Sequence, residues 1–442
     1  MKPGPRRGRR TAGKKLRQNS LGANEANRLG EAPSTRFEPH GLIPDPSKPL
    51  PAVFAKSATN YPLLYRKRLA RADGRARAGD LVAVYDGDEQ LQGYGIYNPR
   101  SEVVVRMLRH TDQLPDESFW DGLLTRAVRL RREMLRLDEV TNAYRVLHAE
   151  GDQLSGLVVD RFGDVLSAEA FSLGMYLRAQ PILERLQAKL QTRHWLIQPS
   201  PQFLSQEGAD PPIVVSPDLP DRVAIEEFGT RFWVKFAGGH KTGFFCDQRE
   251  NRRRLAEFCR GKSVLDLCCY TGGFSVQAKT LGEAAEVTGV DLDAEPLVVA
   301  RDNAKLNRVD IRFTQADAFV YMRDMIRNER QYDVVVLDPP KLIRSRDELH
   351  EGTRKHFDLN RLAFQLVRPG GLLLTCSCAG LLGEEEFMRL LYAAARQAVP
   401  EGSQSPGRDL QLLARTGAAA DHPVSSRYLE SEYLKAAWMI VH

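Results

Sequence analysis

Five successive apolar runs in the second half of the chain each end on an acid or a thiol: Asp266, Asp291, Asp317, Asp338, and then Cys376 with Cys378. The first lies in Val264-Leu-Asp-Leu-Cys-Cys-Tyr-Thr-Gly-Gly-Phe274, which reads as a short strand, a glycine turn and the start of a helix. The second, Val287-Thr-Gly-Val-Asp291, ends on its acid 25 residues after Asp266. Glycines let a backbone approach a ligand closely, and an acid ending the second strand can accept hydrogen bonds from ribose hydroxyls. The three-glycine pyrophosphate fingerprint is missing. A nucleoside without phosphates therefore fits better, and S-adenosylmethionine (SAM), with cationic sulfonium and ammonium groups, suits an acid-lined pocket.

Asp338 stands in Leu337-Asp-Pro-Pro-Lys341. Two prolines after an acid cannot continue a strand ladder. They stiffen the loop into a rigid polar edge suited to a base extruded from its stack. Thr375-Cys-Ser-Cys378 places two thiols two residues apart, on one face of a strand. A thiolate facing a cleft is a candidate nucleophile. Pyrimidine C5 becomes nucleophilic only after something adds at C6, so such a cysteine points to C5 methylation rather than to an exocyclic nitrogen. Cys268 and Cys269 read as packing residues. In Lys241-Thr-Gly-Phe-Phe-Cys-Asp-Gln-Arg-Glu250, Asp247 could cap the following helix and Arg249 could pair with a carboxylate, the ligand's included.

The elements that must position these groups alternate with a period near 25 residues from about residue 226 onward. Strands are expected at Ser263–Cys269, Glu286–Asp291, Ile311–Asp317, Asp333–Asp338 and Gly371–Cys378, and helices at Arg249–Cys259, Phe274–Leu281, Ala294–Asn307, Glu351–Leu366 and Glu384–Ala398. Pro369-Gly370-Gly371 is expected to stop the fourth helix, and Tyr433–Val441 to add an antiparallel strand. This alternation predicts an α/β, doubly wound, mostly parallel sheet whose ligands bind at the carboxyl ends of the strands. Ahead of it, residues 113–225 read as a small α+β middle domain, with a helix at Phe119–Leu137, hairpins, and a helix near Tyr176–Leu190. Residues 52–112 read as a compact β module carrying a basic patch of Arg66, Lys67, Arg68, Arg71, Arg75 and Arg77.

Residues 1–48 are rich in Arg, Pro, Gly and Asn and read as a disordered tail and linker. The chain holds 63 Lys and Arg against 57 Asp and Glu; eight of the 63 lie in residues 1–20, leaving 55 against 57 in the remainder. The positive charge is thus a property of the tail, which could bind polyanions. No apolar run reaches membrane-spanning length, and the N-terminus lacks the apolar core of a signal peptide. Six cysteines, none in the first 245 residues and none at zinc-site spacing, argue against a disulfide framework or a metal site, and point to a reducing cytoplasm.

Taken in order, Lys241–Arg249, Asp266–Phe274, Val290-Asp291, Asp338–Lys341 and Ser377-Cys378 resemble the RlmI-type, class I SAM-dependent large-subunit rRNA cytosine-C5 methyltransferases. The resemblance extends over residues 52–442. Gly79-Asp80, Gly93–Pro99 and Val105-Arg106 resemble a PUA domain, an RNA-binding barrel. Gly156–Arg161 resembles the family's EEHEA-type middle domain, and Asp421-His-Pro423 with Glu432–Lys435 its tail. The family's Ser-Cys-Ser motif reads Ser-Cys-Ala here, with Ala379 last. The resemblance implies a Rossmann-like methyltransferase domain with a seven-stranded sheet behind a PUA-like β-barrel. It assigns Cys378 rather than Cys376 as nucleophile and leaves a homodimer open.

The combined expectation is methyl transfer from SAM to cytosine C5 in large-subunit rRNA. Asp266, Gly272 and Gly273 would line the methionine end, Asp291 would hold the ribose, and Asp317 the adenine edge. Tyr270, Phe274 and Arg249 are further candidate cofactor contacts. Asp338 and Pro339 would orient the base, with Pro340 and Lys341 as neighbouring substrate contacts, and Cys378 would add to C6. The alternatives are another RNA base (uracil C5, or guanine, against which the cysteine argues), a non-catalytic RNA-binding assembly factor, and a protein or small-molecule methyltransferase.

Overall fold

The computed structural model describes residues 37–45, 47–236, 243–399 and 407–442. Residues 1–36 of the basic tail, Lys241 and Thr242 lie outside the described residues, but part of the linker expected to be disordered is packed: Leu42 is buried and its carbonyl accepts from Trp120 Nε1 at 2.9 Å.

The N-terminal module holds β1 (Ala52–Ala55), β2 (Leu63–Tyr65), β3 (Leu69–Ala72), β4 (Leu81–Tyr85), β5 (Leu91–Tyr97) and β6 (Val103–Arg109), in the order β2-β6-β5-β4-β1-β3. Its own core includes Val53, Leu64, Val82, Val84, Val104 and Met107. The sequence reading finds only β4, β5 and β6, because β1 to β3 are three or four residues long and too short for alternation to register. The basic patch is not one helix face: Arg66–Arg68 is a single 3-10 turn, and Arg71 lies on β3.

The middle domain carries α1 (Glu117–Arg129), β7 (Ala143–His148), β8 (Leu157–Phe162), β9 (Val165–Ala170), α2 (Leu173–Leu190), β10 (His194–Pro199), α3 (Phe203–Glu207) and β11 (Val214–Val215). Its sheet runs β11-β10-β9-β8-β7. A hairpin follows, β12 (Arg222–Glu227) and β13 (Thr230–Lys235), so the boundary expected at 225/226 falls inside a strand. The hairpin joins the two halves. Ile225, Phe232 and Val234 share a core with Ala143 and Phe162 on one side and Val276 on the other. The Trp233 N–H also donates to Asn303 Oδ1 at 2.7 Å.

The remaining elements are α4 (Arg249–Ala256), β14 (Ser263–Leu267), α5 (Gly273–Thr280), β15 (Glu286–Asp291), α6 (Ala294–Leu306), β16 (Arg312–Gln315), α7 (Ala318–Arg327), β17 (Tyr332–Leu337), α8 (Leu349–Leu366), β18 (Val367–Ser377), α9 (Glu384–Arg396), β19 (Leu410–Thr416) and β20 (Lys435–Val441). The sheet order is β16-β15-β14-β17-β18-β20-β19, parallel except for β20, which runs antiparallel to both its neighbours. β14 and β17 are near-continuous apolar runs because both sheet faces are covered by helices. The order reverses between β14 and β17, which opens a crevice at their carboxyl ends.

Two details differ from expectation. Pro369-Gly370-Gly371 does not stop α8, which already ends at Leu366; the tripeptide lies within β18, where an irregular register between Tyr332↔Val367 and Val334↔Leu372 accommodates it. The helix α7 is absent from the sequence reading although Asp317 caps it, its Oδ1 accepting from the Val320 N–H at 3.1 Å.

Candidate active site at the carboxyl edge of the seven-stranded sheet

The loop between β14 and α5 alternates through left-handed conformations at Cys268 (φ 61°), Tyr270 (φ 50°) and Gly272 (φ 78°). Asp291, ending β15, holds it: Oδ2 accepts from the Tyr270 N–H at 2.8 Å, and Oδ1 from the Asp293 N–H at 3.0 Å. A Cβ at Gly272 would stand 3.1 Å from the Phe313 ring and 3.2 Å from Ala300 Cβ, so both space and backbone demand glycine here.

Asp266 is buried inside β14. Its Oδ2 accepts from the Ser275 N–H at 3.0 Å and the Ser275 hydroxyl at 2.6 Å. Its Oδ1 is buried with no hydrogen-bond donor. Burial pushes the carboxyl up to about 7 against the two Ser275 bonds, with Asp338 and Asp291 adding to the rise. A buried acceptor lacking a donor, in a field of carboxylates, is what a cationic ligand completes, and these residues therefore fit the ammonium-bearing end of SAM. The carboxylates converge: after burial itself, Asp291, Asp338, Asp266 and Asp317 all push the Cys268 thiol up.

Asp338 follows β17, its N–H directed to Leu267 O at 3.3 Å. Its Oδ2 accepts from Gln248 Nε2 at 3.0 Å. Pro339 is buried, and Pro340 and Lys341 are exposed. Cys376 is fully buried and Cys378 half-buried at the end of the same strand. Ser377, between them, faces the other side of the sheet, toward His356 Nε2 at 3.3 Å. Lys435 reaches the Cys378 loop from β20, its Nζ donating to Ala379 O at 2.8 Å and Tyr433 O at 3.0 Å. Burial lowers the Lys435 pKa, and the neighbouring Cys378 opposes that.

Three expected roles change. Arg249 is fully buried and donates to both oxygens of Asp421, at 3.0 and 2.9 Å, with Nε on Glu250. Its guanidinium is committed to protein carboxylates rather than a ligand's. The Phe274 ring is packed into the core with Leu255 and Val264, so its side chain does not face the crevice as an open contact. Asp247 does not cap α4; its Oδ2 accepts from the Tyr433 hydroxyl at 2.5 Å. Asp317 Oδ1 caps α7. The sequence reading passes over Gln248 as a partner of Asp338 and Lys435 as a neighbour of Cys378. Gln248 lies inside the quoted Lys241–Glu250 segment, but nothing local says what its amide meets.

Residues 188–401 match the sequence model of the S-adenosylmethionine-dependent methyltransferases, and residues 55–110 that of a PUA-like domain. The chain is 34% identical to a ribosomal RNA large subunit methyltransferase I of Pseudoalteromonas atlantica, covering 85% of this chain and 94% of that one. It is 33% identical to the Vibrio cholerae protein of the same name, over the same shares. The chain belongs to the ribosomal RNA large subunit methyltransferase I family. Its methyl donor is SAM, and its catalytic half is a class I methyltransferase fold. The methyltransferase I match to the SAM-dependent model begins at residue 188, within α2, upstream of the boundary expected at 226. Two solved structures share the fold: SMU.776, a methyltransferase-type protein complexed with SAH (TM-score 0.71, 20% identity, 86% of this chain and 96% of that one), and a Streptococcus mutans protein assigned as SAM-dependent (TM-score 0.70, 19% identity, 88% and 99%). No helix among the described residues of this methyltransferase I family member is long and apolar enough to cross a membrane.

Proposed function

We propose that this protein methylates C5 of a cytosine in large-subunit ribosomal RNA through a covalent adduct between Cys378 and C6. The observation that carries this reading is a half-buried thiol at the carboxyl end of β18, in the same crevice edge as Asp338 and the SAM-fitting acid Asp266. The relatives' name, ribosomal RNA large subunit methyltransferase I, supports the RNA class, and the PUA-like domain supports RNA binding.

SAM supplies an electrophilic methyl group. Asp266 receives the donor's cationic end, and the Cys268–Gly272 turn, held by Asp291, brings backbone close to it. Asp338, on its proline-stiffened loop, orients the base. The Cys378 thiolate would form a bond to C6, moving electron density to C5, which would attack the sulfonium methyl carbon as the S–CH3 bond breaks and S-adenosylhomocysteine leaves. Loss of the C5 proton then expels the thiolate and restores the aromatic ring.

The test is methyl transfer from labelled SAM to deproteinised large-subunit rRNA, followed by nucleoside analysis, with wild type and Cys378→Ala. The reading requires 5-methylcytosine from wild type and none from the variant. Labelled 5-methyluridine would move the activity to uracil, and an active Cys378→Ala would end the covalent mechanism.

A further inference from the structure

Behind Asp338 runs a chain of side chains whose hydrogen bonds all point one way. Trp438 Nε1 on β20 donates to Thr416 Oγ1 on β19 at 2.8 Å. The Thr416 hydroxyl donates to Asn251 Oδ1 on α4 at 2.7 Å. Asn251 Nδ2 donates to Gln248 Oε1 at 2.6 Å, and Gln248 Nε2 donates to Asp338 Oδ2 at 3.0 Å. Trp438, Asn251 and Gln248 are buried, and Thr416 is half-buried.

Chemistry fixes the polarity. An indole N–H can only donate, so the Thr416 oxygen accepts from it and its proton goes onward. That turns Asn251 Oδ1 toward Thr416 and Nδ2 toward Gln248. The Gly417 carbonyl, an acceptor only, receives the same Nδ2 at 3.3 Å. Gln248 must then meet Asn251 with its oxygen and Asp338 with its N–H. Reversing either amide would set oxygen against oxygen or N–H against N–H at buried contacts, each costly.

We propose that Gln248, held by Asn251, Thr416 and Trp438, is the positioning residue for Asp338, presenting a fixed N–H that holds the carboxylate in one rotamer while the target base is bound. An N–H donated to a carboxylate favours its charged form. The relay reaches β19 and β20, so these strands bear on Asp338 through a chain of side-chain hydrogen bonds. The inference rests on the orienting role of Asp338 given above.

The experiment is the pH–rate profile of methyl transfer to large-subunit rRNA by full-length wild type, Gln248→Leu, Thr416→Val, Thr416→Ser and Asp338→Asn. Loss of one charge-assisted hydrogen bond corresponds to about one pH unit. Gln248→Leu and Thr416→Val should move the acid limb up by about one unit and lower kcat, with the KM for SAM unchanged. Thr416→Ser, which keeps the hydroxyl, should restore the wild-type profile. Gln248→Leu removes the last link directly, so the relay stays testable if Thr416→Val folds poorly. Unshifted limbs in Gln248→Leu and Thr416→Val, beside an inactive Asp338→Asn, would overturn the relay and leave the role of Asp338 standing. An Asp338→Asn variant with wild-type rate and limb would overturn that role, and the relay with it.

Discussion

Cys376 and Cys378 leave the same strand two residues apart, yet Cys376 has no exposed surface while Cys378 is half-buried at the strand's end. Burial first, then Asp338, pushes the Cys376 thiol well above its ordinary value, so it is held as a neutral core group. Cys376→Ala is expected to retain methyl transfer and lose about 1 kcal/mol of stability, as a small buried truncation does. Cys378→Ala is expected to lose transfer by roughly 1000-fold or more while still binding SAM, because it removes the bond-forming atom itself. Single-turnover transfer and SAM titration on both variants check this, and an inactive, folded Cys376→Ala would reassign the nucleophile.

Lys435 should set how readily Cys378 ionises. Its ammonium is anchored on Ala379 O, one residue past the thiol. A nearby cation favours thiolate, so Lys435→Met should move the thiolate limb of the rate profile to higher pH, by about one unit. Lys435→Arg, which keeps the charge, should fall between. Thiol alkylation rates against pH report the same ionisation without RNA present, and identical curves for wild type and Lys435→Met would remove Lys435 from the mechanism.

SAM affinity should depend on pH through Asp266. Its folded value, near 7, lies above the ordinary 3.8. Without ligand the group therefore contributes stability that is present below pH 4 and lost as pH rises toward 7. The cationic donor needs the ionised form, so binding below pH 7 must release a proton, and affinity should fall about tenfold per pH unit there. Calorimetry from pH 5.5 to 8 tests this. A flat affinity, or an Asp266→Asn variant that keeps the slope, would exclude Asp266 as the titrating group.

The strongest structural effect is expected at Asp421. Its carboxylate accepts from Arg249 on α4 and from the Arg145 N–H on β7, binding the catalytic half to the middle domain. Burial would raise its pKa, but His422 and Arg249 outweigh burial and hold it well below the usual range. The stability it contributes is thus present above about pH 4 and lost only as pH falls further. Asp421→Ala strands the Arg249 charge in the interior and should cost about 3–5 kcal/mol in urea unfolding. A loss under about 1 kcal/mol would show that the pair is incidental.

Much of this site is local in origin. Acids and thiols ending apolar runs, a glycine turn after the first, and an Asp-Pro-Pro after the fourth are written in neighbouring residues, because strand, turn and helix start depend on a few adjacent side chains. They fix the β/α alternation, the SAM-binding loop and the set of strand-end groups. Only the family resemblance separates Cys378 from Cys376 in the sequence, since two thiols on one face have the same periodicity. The signal for α7 is present in Asp317 and in the apolar spacing of Phe319, Met322 and Ile326.

What the sequence could not say is which distant groups meet. Arg249 could pair with any carboxylate, and Asp421, 172 residues away, takes it. Gln248 finds Asp338, and Lys435 finds the Cys378 loop, only once β17, β18 and β20 lie side by side. Local pattern fixes which residues reach the sheet edge because backbone geometry is short-range. Their partners, burial and ionisation follow from the sheet order, which is decided by packing of elements far apart in the chain.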